Sequence, residues 1–404
     1  MPGSGSASVT AITVVGGVYH ERCLWPDWDQ VYGSGGRAAA ALSGHVDRIL
    51  LRSYARPDTS AWFKSYASLY DFAFEAIEVD QTVSFEYVHC LSNPVIRPAR
   101  ELIKINPPIQ VSDNVVLRFG MLEGSAIVTA NRCTYDPQSA FNPELFSSNG
   151  SKASHLAIVA NQNEVMAMSG RSDPVDGAKF LLSTGAEVVV IKSGAAGAFV
   201  VEGEDVIHVP AYRTNQVWTI GSGDVFAAIF AARWGARAET PIMAADLASR
   251  AVAAYAESMA LPAPTPETLL SAQRPEAVTV PGRVYLASPF FTLSQRWLVD
   301  EARQALKGLG LDVFSPVHDV GPGPAEVVGP ADLDALKDCD RVFAILDGTD
   351  SGTVFEVGYA RARGLPVYGL AQAVPIENLK MVSGSGCRVF DDFVSAVYHT
   401  AWRV

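Results

Sequence analysis

TIGSGD, residues 219–224, is followed directly by VFAAIFAA, residues 225–232, an apolar run of helical length. A glycine-rich turn that leads into a helix leaves free backbone N–H groups at the helix N-terminus, where phosphate oxygens bind well. Asp224 lies at the start of this helix and is placed to accept a proton from a substrate hydroxyl. The stretch therefore predicts a phosphoryl-transfer site, with an ordinary tight helix cap as the alternative.

A second stretch, DSGTVFEVGYA at residues 350–360, is rich in the groups that glycosidic-bond chemistry needs. Four carboxylates follow predicted strands and are expected to meet at the carboxyl edge of a sheet, namely Asp332, Asp347, Asp350 and Glu356. Cleavage of a glycosidic bond uses one carboxylate as nucleophile and a second carboxyl that exchanges protons with the leaving group. The alternative is that these side chains are solvated loop residues.

Around both stretches, short β-branched runs alternate with alanine-rich segments, which is typical of α/β layers on a mostly parallel sheet. In the first 260 residues the pattern predicts strands at 12–15 and 188–191 and helices at 35–42, 225–234 and 244–259. Near the C-terminus it predicts strands at 284–287, 312–314, 341–346 and 366–369, and helices at 295–309, 330–338 and 356–363.

The chain is long enough for two hydrophobic cores, with 404 residues of which 49% are hydrophobic. LPAPTP at residues 261–266 stops regular structure, and a polar stretch continues to Gly282. We therefore expect two domains, at residues 1–275 and 282–404.

Composition excludes several classes of protein. A formal net charge of -12 argues against a nucleic-acid or anionic-membrane binder, because phosphate-rich surfaces need a basic face. The five cysteines lack the spacing of a zinc site or a disulfide framework. The first nine residues have no basic segment followed by a long apolar one, as a secretory leader would. We expect a cytoplasmic protein whose partners are small molecules.

TIGSGD resembles the second signature of the ribokinase/PfkB carbohydrate kinase family. Other family features occur in the expected order: VVGG at 14–17, GSGGRAA at 33–39, NQNE at 161–164 and KSGAAG at 192–197. The resemblance implies a ribokinase-like α/β sandwich that uses ATP and Mg²⁺.

The kinase resemblance also implies a role for particular residues. Asp224 would be the catalytic base, and the remaining roles fall on three groups: Gly221, Ser222, Gly223, Lys192, Gly194 and Gly197 on the nucleotide side, Glu21, Gly35 and Gly36 on the sugar side, and Asn161 and Glu164 in organising magnesium. Asn161 and Glu164 are also spaced as an ordinary helix-start pair.

The chain departs from the kinase pattern at three positions. Glu21 stands for an Asp that binds sugar hydroxyls, Ala40 for an Asn, and Trp218 for an Asp that helps to form a monovalent-cation site. We therefore expect altered sugar recognition and no potassium activation. Aromatic residues offer stacking faces for a nucleobase, with core packing as the alternative; they are His20, Trp25, Trp28 and the segment 85–89.

Residues 282–404 resemble the nucleoside 2-deoxyribosyltransferase family, which implies a flavodoxin-like parallel α/β domain. Glu356 would be the covalent nucleophile, Asp350 the ligand of the sugar hydroxyls, Asp332 the group that exchanges a proton with the base, and Tyr285 the residue that orients the nucleophile. Asn378 lies in the stretch by which a neighbouring subunit completes the pocket, which implies a homo-oligomer. Hydroxyl and cationic side chains near the first loop, Ser288, Thr292, Ser294 and Arg296, suit either a 5'-phosphate or a helix cap.

Together the two segments predict a bifunctional enzyme of nucleoside or nucleotide salvage. In one order the kinase phosphorylates a nucleoside and the second domain removes the base; in the other the second domain frees a pentose that the kinase captures. The sequence favours the first order. Two alternatives are a nucleotide-sensing regulator with little turnover and a sugar kinase with a degenerate C-terminal domain. The sequence leaves open which base is handled, whether the sugar is ribose or deoxyribose, and which hydroxyl is phosphorylated. It also leaves open whether the second domain is a hydrolase or a transferase.

Overall fold

A computed structural model describes residues 9–139 and 142–402. The start of the chain, residues 1–8, on which the expectation of no leader largely rested, lies outside the described residues. The chain forms two compact units. Unit 1 comprises Met1–Thr214 and Trp218–Glu276, and unit 2 comprises Asn215–Val217 and Ala277–Val404.

The strands are, in chain order, β1 (Ala11–Val15), β2 (His20–Cys23), β3 (Trp28–Val31), β4 (Arg48–Ala55), β5 (Ala73–Glu78), β6 (Ser84–Tyr87), β7 (Val95–Arg97), β8 (Ile109–Phe119), β9 (Ala126–Asp136), β10 (Lys152–Asn161), β11 (Val188–Lys192), β12 (Ala198–Glu202), β13 (Asp205–Val209), β14 (Ala211–Tyr212), β15 (Glu276–Ala277), β16 (Arg283–Ala287), β17 (Asp312–Phe314), β18 (Arg341–Ile345), β19 (Val367–Leu370) and β20 (Arg388–Phe390).

The α-helices are, in chain order, α1 (Gly33–Ala41), α2 (Pro57–Leu69), α3 (Gln162–Ser169), α4 (Pro174–Ser183), α5 (Ser222–Phe230), α6 (Pro241–Ser258), α7 (Pro266–Ser271), α8 (Leu293–Gly308), α9 (Pro316–Asp319), α10 (Ala325–Lys337), α11 (Ser351–Ala362), α12 (Ile376–Gly384) and α13 (Phe393–Ala401).

Within the described residues, unit 1 is built on a nine-stranded sheet of order β13-β12-β11-β10-β9-β8-β1-β4-β5. The strands from β11 to β5 pair in parallel, and β12 and β13 add an antiparallel edge. Val14 and Val15 point to opposite faces of β1, and both are 0% exposed. Both faces of the sheet are therefore covered at β1, which explains why this strand, AITVV, is almost entirely apolar.

A smaller sheet of order β3-β2-β6-β7 belongs to the same unit. β2 pairs in parallel with β6 and antiparallel with β3. This sheet carries Glu21 on β2 and Phe85 and Tyr87 on β6. It thereby holds three of the side chains that the sequence assigned to the acceptor.

Over residues 277–402, unit 2 contains a five-stranded parallel sheet of order β17-β16-β18-β19-β20. Counted along the unit, this order is 2-1-3-4-5, the flavodoxin-like arrangement, in which ligands bind at the carboxyl ends of the strands where the order reverses. That point lies between β16 and β18. The predicted fold class, α/β with a large sheet followed by a smaller parallel one, is confirmed.

Four predicted helix starts were wrong by three or more residues, and one of them is that of α6, which begins at Pro241 and not at residue 244. α11 begins at Ser351, not at residue 356, because the Asp350 side chain caps it. α10 begins at Ala325 and contains Pro330, which the prediction had used as the first helical residue because proline costs least there. α5 begins at Ser222, three residues early, and continues into a π-helical turn at Ala231–Ala236. Of the helices described, none has the length and apolar character that crossing a membrane requires.

Candidate active sites

The first candidate site lies at the N-terminus of α5 in unit 1. Gly221 is the N-cap residue with φ 76°, and Asp224 lies in the first turn and is 6% exposed. Two hydrogen bonds with α6 stabilise the turn. The Tyr255 hydroxyl donates to the Ile220 carbonyl at 3.0 Å, and Trp218 N donates to the Ala256 carbonyl at 2.9 Å. The predicted glycine turn and helix start are therefore both present.

Asp224 is held by two side chains. Arg37 Nη1 donates to its Oδ2 at 2.9 Å, and Gln138 Nε2 donates to its Oδ1 at 2.9 Å. Arg37 also binds Glu21, with Nη1 donating to Oε1 at 3.2 Å and Nη2 donating to Oε2. Burial lowers the pKa of the Arg37 guanidinium, but Glu21 and Asp224 more than offset it, and this pKa lies well above its usual value.

A cavity of about 210 Å³ opens beside this ion pair. Its wall combines aromatic rings, buried polar groups and the glycine turn: Tyr19, Glu21, Ser34, Arg37, Phe85, Tyr87, Gln138, Ile220, Gly221, Gly223 and Asp224. Three aromatic side chains beside two carboxylates and a guanidinium suit a small polar molecule that carries a flat ring.

The predicted aromatic residues do not all reach this cavity. Phe85 and Tyr87 line it. His20 instead contacts Asp29 at 2.5 Å, Trp25 is half exposed, and Trp28 packs against Tyr32 and Trp218. For Trp28 the core-packing alternative is therefore the one observed.

Lys192 lies at the other side of the α5 N-terminus. Its Nζ donates to Asp136 Oδ2 at 2.5 Å, and a Cβ built on Gly223 would lie 3.3 Å from the same Nζ. Asp136 is completely buried, and its Oδ1 accepts no hydrogen bond from the described residues. Burial raises the pKa of Asp136, while Lys192 opposes that rise. A cation next to Gly223 at a helix N-terminus fits a bound phosphate group.

Asn161 and Glu164, the predicted magnesium pair, form a capping box at the start of α3. Asn161 Oδ1 accepts from Glu164 N at 2.9 Å, and Glu164 Oε2 accepts from Asn161 N at 2.8 Å. Glu164 Oε1 also accepts from Ser139 N at 3.0 Å. Over residues 9–139 and 142–402, no group of three or more His, Cys, Asp or Glu side chains is arranged to hold a metal. Mg²⁺ fits here only when phosphate oxygens and water supply most of its ligands, which is its common mode.

The remaining glycines of the prediction serve turns and packing. Gly194 and Gly197 belong to the turn between β11 and β12, where Ser193 N donates to the Gly197 carbonyl at 2.8 Å. A Cβ on Gly35 would lie 2.7 Å from the Gly16 carbonyl oxygen, so α1 can approach β1 only with glycine there. Gly36 follows in α1 against Phe63. Contact of these glycines with a substrate stays a prediction.

The second candidate site lies in unit 2, at the point where its strand order reverses. The Tyr285 hydroxyl, on β16, donates to Glu356 Oε1 at 2.6 Å. The pKa of Glu356 is raised to about 7, mainly by burial and in smaller part by the charges of Asp332 and Asp350, while the Tyr285 hydrogen bond lowers it. Glu356 is thus held by the predicted tyrosine among two other carboxyls.

The other three predicted carboxylates of unit 2 differ in their surroundings. Burial raises the pKa of Asp332, whose Oδ1 accepts no hydrogen bond from the residues described. Asp350 Oδ2 accepts from Thr353 N at 2.8 Å and Oγ1 at 3.1 Å. Asp347 was expected to join them, but its oxygens accept from the backbone N–H groups of Gln372 and Ala373. It ties down the loop after β19.

The loop after β16 bears on the predicted phosphate contacts. Thr292 and Gln295 form a capping box at the start of α8. Arg296 Nε donates to the Phe290 carbonyl at 2.9 Å, and Ser288 is buried at the end of β16. For Thr292 the capping alternative is therefore the one observed. Asn378 lies exposed in the first turn of α12.

Sequence reasoning missed three residues that the structure brings into the first site: Arg37, Gln138 and Asp136. Arg37 had a signal, because it is the one charged residue in GSGGRAAAA, the sequence of α1. Asp136 ends the long apolar strand β9 just before a proline, and a carboxylate at that edge of a parallel sheet is a frequent site residue. Gln138 has no comparable signal.

Comparisons with known proteins match one segment in each unit. The family model described as pfkB family carbohydrate kinase matches residues 138–266, and the model described as nucleoside 2-deoxyribosyltransferase matches residues 284–384. The aminoimidazole riboside kinase of Salmonella typhimurium is 34% identical over 84 residues, which are 21% of this chain. The match spans only 26% of the length of that relative.

Among solved structures, ribokinase from Thermotoga maritima has a TM-score of 0.46 and 16% identity over 65% of this chain and 98% of that chain. Fructokinase from Vibrio cholerae O395 has a TM-score of 0.46 and 13% identity over the same shares of the two chains. From the two family matches, the chain carries a pfkB carbohydrate kinase segment followed by a nucleoside 2-deoxyribosyltransferase segment, as the resemblance in its sequence indicated.

Proposed function

We propose that this chain is a bifunctional enzyme of nucleoside or nucleotide salvage. One site transfers a phosphoryl group from ATP to a nucleoside or pentose, and the other cleaves or transfers at the N-glycosidic bond of a nucleoside or its 5'-monophosphate. The observation that carries most weight is the hydrogen bond of 2.6 Å from Tyr285 to Glu356. It holds a half-buried carboxylate at the sheet position where ligands of such folds bind.

In the kinase site, Asp224 takes the proton of the acceptor hydroxyl as that oxygen bonds to the γ-phosphorus of ATP, and the bond from this phosphorus to the bridging oxygen breaks, so that ADP leaves with the electron pair. The backbone amides of Gly221 and Gly223 and the Lys192 ammonium offset the charge that develops on the phosphoryl oxygens. ATP supplies the phosphoryl group, and Mg²⁺ neutralises its phosphates when both are bound. Asn161 and Glu164 would act on the metal indirectly.

In the second site, Glu356 bonds to the anomeric carbon as the bond from that carbon to the base nitrogen breaks. The electron pair of the broken bond leaves with the base, and Asp332 gives that base a proton. The raised pKa of Asp332 supports the role, because a proton donor must be protonated before the bond breaks. Water or a second base then displaces Glu356, and Asp350 binds the sugar hydroxyls.

We place the kinase reaction first, which makes a nucleoside its acceptor. The rings of Tyr19, Phe85 and Tyr87 in the cavity wall support this order, because a free pentose offers no flat face to stack on them. Because the proposed kinase reaction requires ATP, we propose that the protein acts in the cytoplasm. In the alternative order, the second site frees a pentose that the first site phosphorylates.

We further propose that the chain assembles with copies of itself through α12. Ile376 and Met381 in this helix are 83% and 82% exposed, and apolar side chains of that size favour a covered surface. Asn378 lies between them and would then complete the pocket of a neighbouring copy.

The test is to incubate the full chain with nucleosides and nucleoside 5'-monophosphates, with and without ATP and Mg²⁺, and to follow free base and phosphorylated products by mass spectrometry. Base release from nucleosides only with ATP, and a monophosphate that accumulates in Glu356→Ala, is the expected result. ATP-independent release followed by phosphorylation of the freed pentose would establish the reverse order. Tight binding without turnover of any nucleoside or nucleotide would instead establish a nucleotide-sensing regulator. Phosphorylation without base release would establish a sugar kinase with a degenerate second domain.

A further inference from the structure

The proposed base of the kinase site belongs to a buried network of one guanidinium and two carboxylates. Arg37 is 1% exposed, Glu21 is 5% and Asp224 is 6%. Arg37 binds both carboxylates, and a Cβ on Gly221 would lie 2.2 Å from Arg37 Cζ, so the guanidinium packs directly on the glycine turn. The network thus joins the acceptor cavity, the base and the turn expected to hold phosphate.

The network fixes the direction of the Asp224 carboxylate. Arg37 occupies one lone-pair site on Oδ2 and Gln138 one on Oδ1. A carboxylate has about four such sites, so roughly two remain for an acceptor hydroxyl. Asp224 can therefore be held and still accept a proton.

The network also sets the charge around Asp224. Glu21 and Asp224 share Arg37 Nη1, so two negative charges lie within reach of one donor atom in a buried place. Without the guanidinium each carboxylate would face the other uncompensated, and both would hold their protons more tightly. The other ionisable groups that act on this region are Asp136, Glu164, Lys192, Tyr87 and Tyr255. Of these, Lys192 is the only cation, and it is already paired with Asp136.

We propose that Arg37 is the positioning residue of the kinase site, which holds the Asp224 carboxylate toward the acceptor and compensates its negative charge beside Glu21. This inference rests on the proposed kinase function. Glu21 then serves as the second anchor of Arg37. The expected role of Glu21 as a ligand of the sugar hydroxyls stays a prediction, since Arg37 takes one lone-pair site on each Glu21 oxygen and about two such sites remain.

The test measures the pH dependence of nucleoside phosphorylation by the full chain. In Arg37→Met, the acid limb of the pH profile of kcat should move to higher pH by at least about one pH unit. The kcat at neutral pH should fall roughly 100-fold, while the KM for ATP should stay nearly unchanged. Arg37→Lys keeps the charge, so its acid limb should stay near that of the unchanged enzyme although its rate falls. Glu21→Gln removes one negative charge, so its acid limb should move down; this variant also tests the idea if Arg37→Met does not fold.

Arg118→Met is the matched control. Arg118 is also buried, at 3% exposure, and its Nη1 donates to the Phe146 carbonyl and to Ser151, away from the cavity. It should lose stability without moving the acid limb. Suppose that the enzyme phosphorylates nucleosides and loses this activity in Asp224→Asn. If the acid limb is then unshifted in both Arg37→Met and Glu21→Gln, the role of Arg37 alone is overturned. Absence of phosphorylation in the unchanged enzyme would overturn the kinase function and this inference with it.

Discussion

Glu356 shows how one residue takes its chemistry from its neighbours. A carboxylate nucleophile must be ionised, yet burial and the nearby Asp332 and Asp350 raise the pKa of Glu356 to about 7. The Tyr285 hydroxyl acts in the opposite direction, because a hydrogen bond to the charged form stabilises it. Base release should therefore rise with pH through about 7.

Tyr285→Phe should move that rise to higher pH. The variant removes the hydrogen bond that favours the ionised form, so we expect a shift of about one pH unit and a rate roughly 10-fold lower at neutral pH. The measurement is the pH profile of base release. Tyr212→Phe is the control, since this hydroxyl also donates to a carboxylate, Asp246, but in unit 1. Equal profiles for Tyr285→Phe and the unchanged enzyme would contradict the role of Tyr285.

The same pKa makes a prediction about stability. The folded pKa of Glu356, about 7, lies above its ordinary value of 4.5, so the folded state holds the proton more tightly than the unfolded one. This contribution to stability is fully present below about pH 4.5 and is lost as pH rises through about 7. Glu356→Gln cannot ionise and should escape the loss.

Glu356→Gln should match the unchanged protein near pH 5 and be more stable near pH 8, by about 1–3 kcal/mol. The difference in stability is measured by urea unfolding, which is followed through hydrogen exchange in peptides of α11. A variant that is less stable near pH 8 than the unchanged protein would show that Glu356 is not held in the way described.

At the scale of elements, the junction of turn and helix at α5 depends on a conformation that only glycine adopts at low cost. Gly221 has φ 76°, and a Cβ there would meet Arg37 at 2.2 Å. Gly44 has a similar φ of 78°, but a Cβ there would meet nothing within 4 Å. The two positions therefore separate backbone strain from collision.

Gly44→Ala should cost about 1 kcal/mol of stability, the price of a left-handed residue with a Cβ. Gly221→Ala carries the same strain and must also displace Arg37, so we expect a loss of about 3 kcal/mol or more and no phosphorylation. Thermal unfolding and kinase assays on both variants check this. Retained phosphorylation in Gly221→Ala would show that the contact between turn and guanidinium is dispensable.

The capping residues of α3, α8 and α11 show a limit at the same scale. Asn161, Thr292 and Asp350 each accept a hydrogen bond from the third residue of the helix that follows. A polar residue at a helix start can serve the helix, a ligand or both, and spacing alone does not distinguish these uses. Only the observed hydrogen bonds identify the capping role.

At the scale of the whole molecule, each unit has its own sheet and its own carboxylate cluster, so the two reactions should be separable. In the full chain, Asp224→Asn should abolish phosphorylation, yet still release base from a supplied 5'-monophosphate. Glu356→Ala should phosphorylate nucleosides at the unchanged rate, yet release no base. Parallel assays of both variants measure this, and loss of both activities in either variant would contradict two independent sites.

The sequence by itself determined the fold class and the order of the two segments, and it singled out Asp224 and Glu356 as the proposed reactive residues. These follow from local signals: the periods of apolar residues, glycine turns before helices, and the short motifs that carry each resemblance. Such signals span a few residues along the chain, so they can be read without knowing which distant segments meet.

Only the tertiary structure decided what surrounds those residues. Arg37 and Asp224 are far apart in sequence, as are Tyr285 and Glu356, and both pairs form because separate elements pack at one edge of a sheet. The structure also removed Asp347 from the second cluster, since backbone N–H groups of a neighbouring loop take its oxygens. The direction of a side chain and the charge of its neighbours depend on packing between distant segments, which no local pattern encodes.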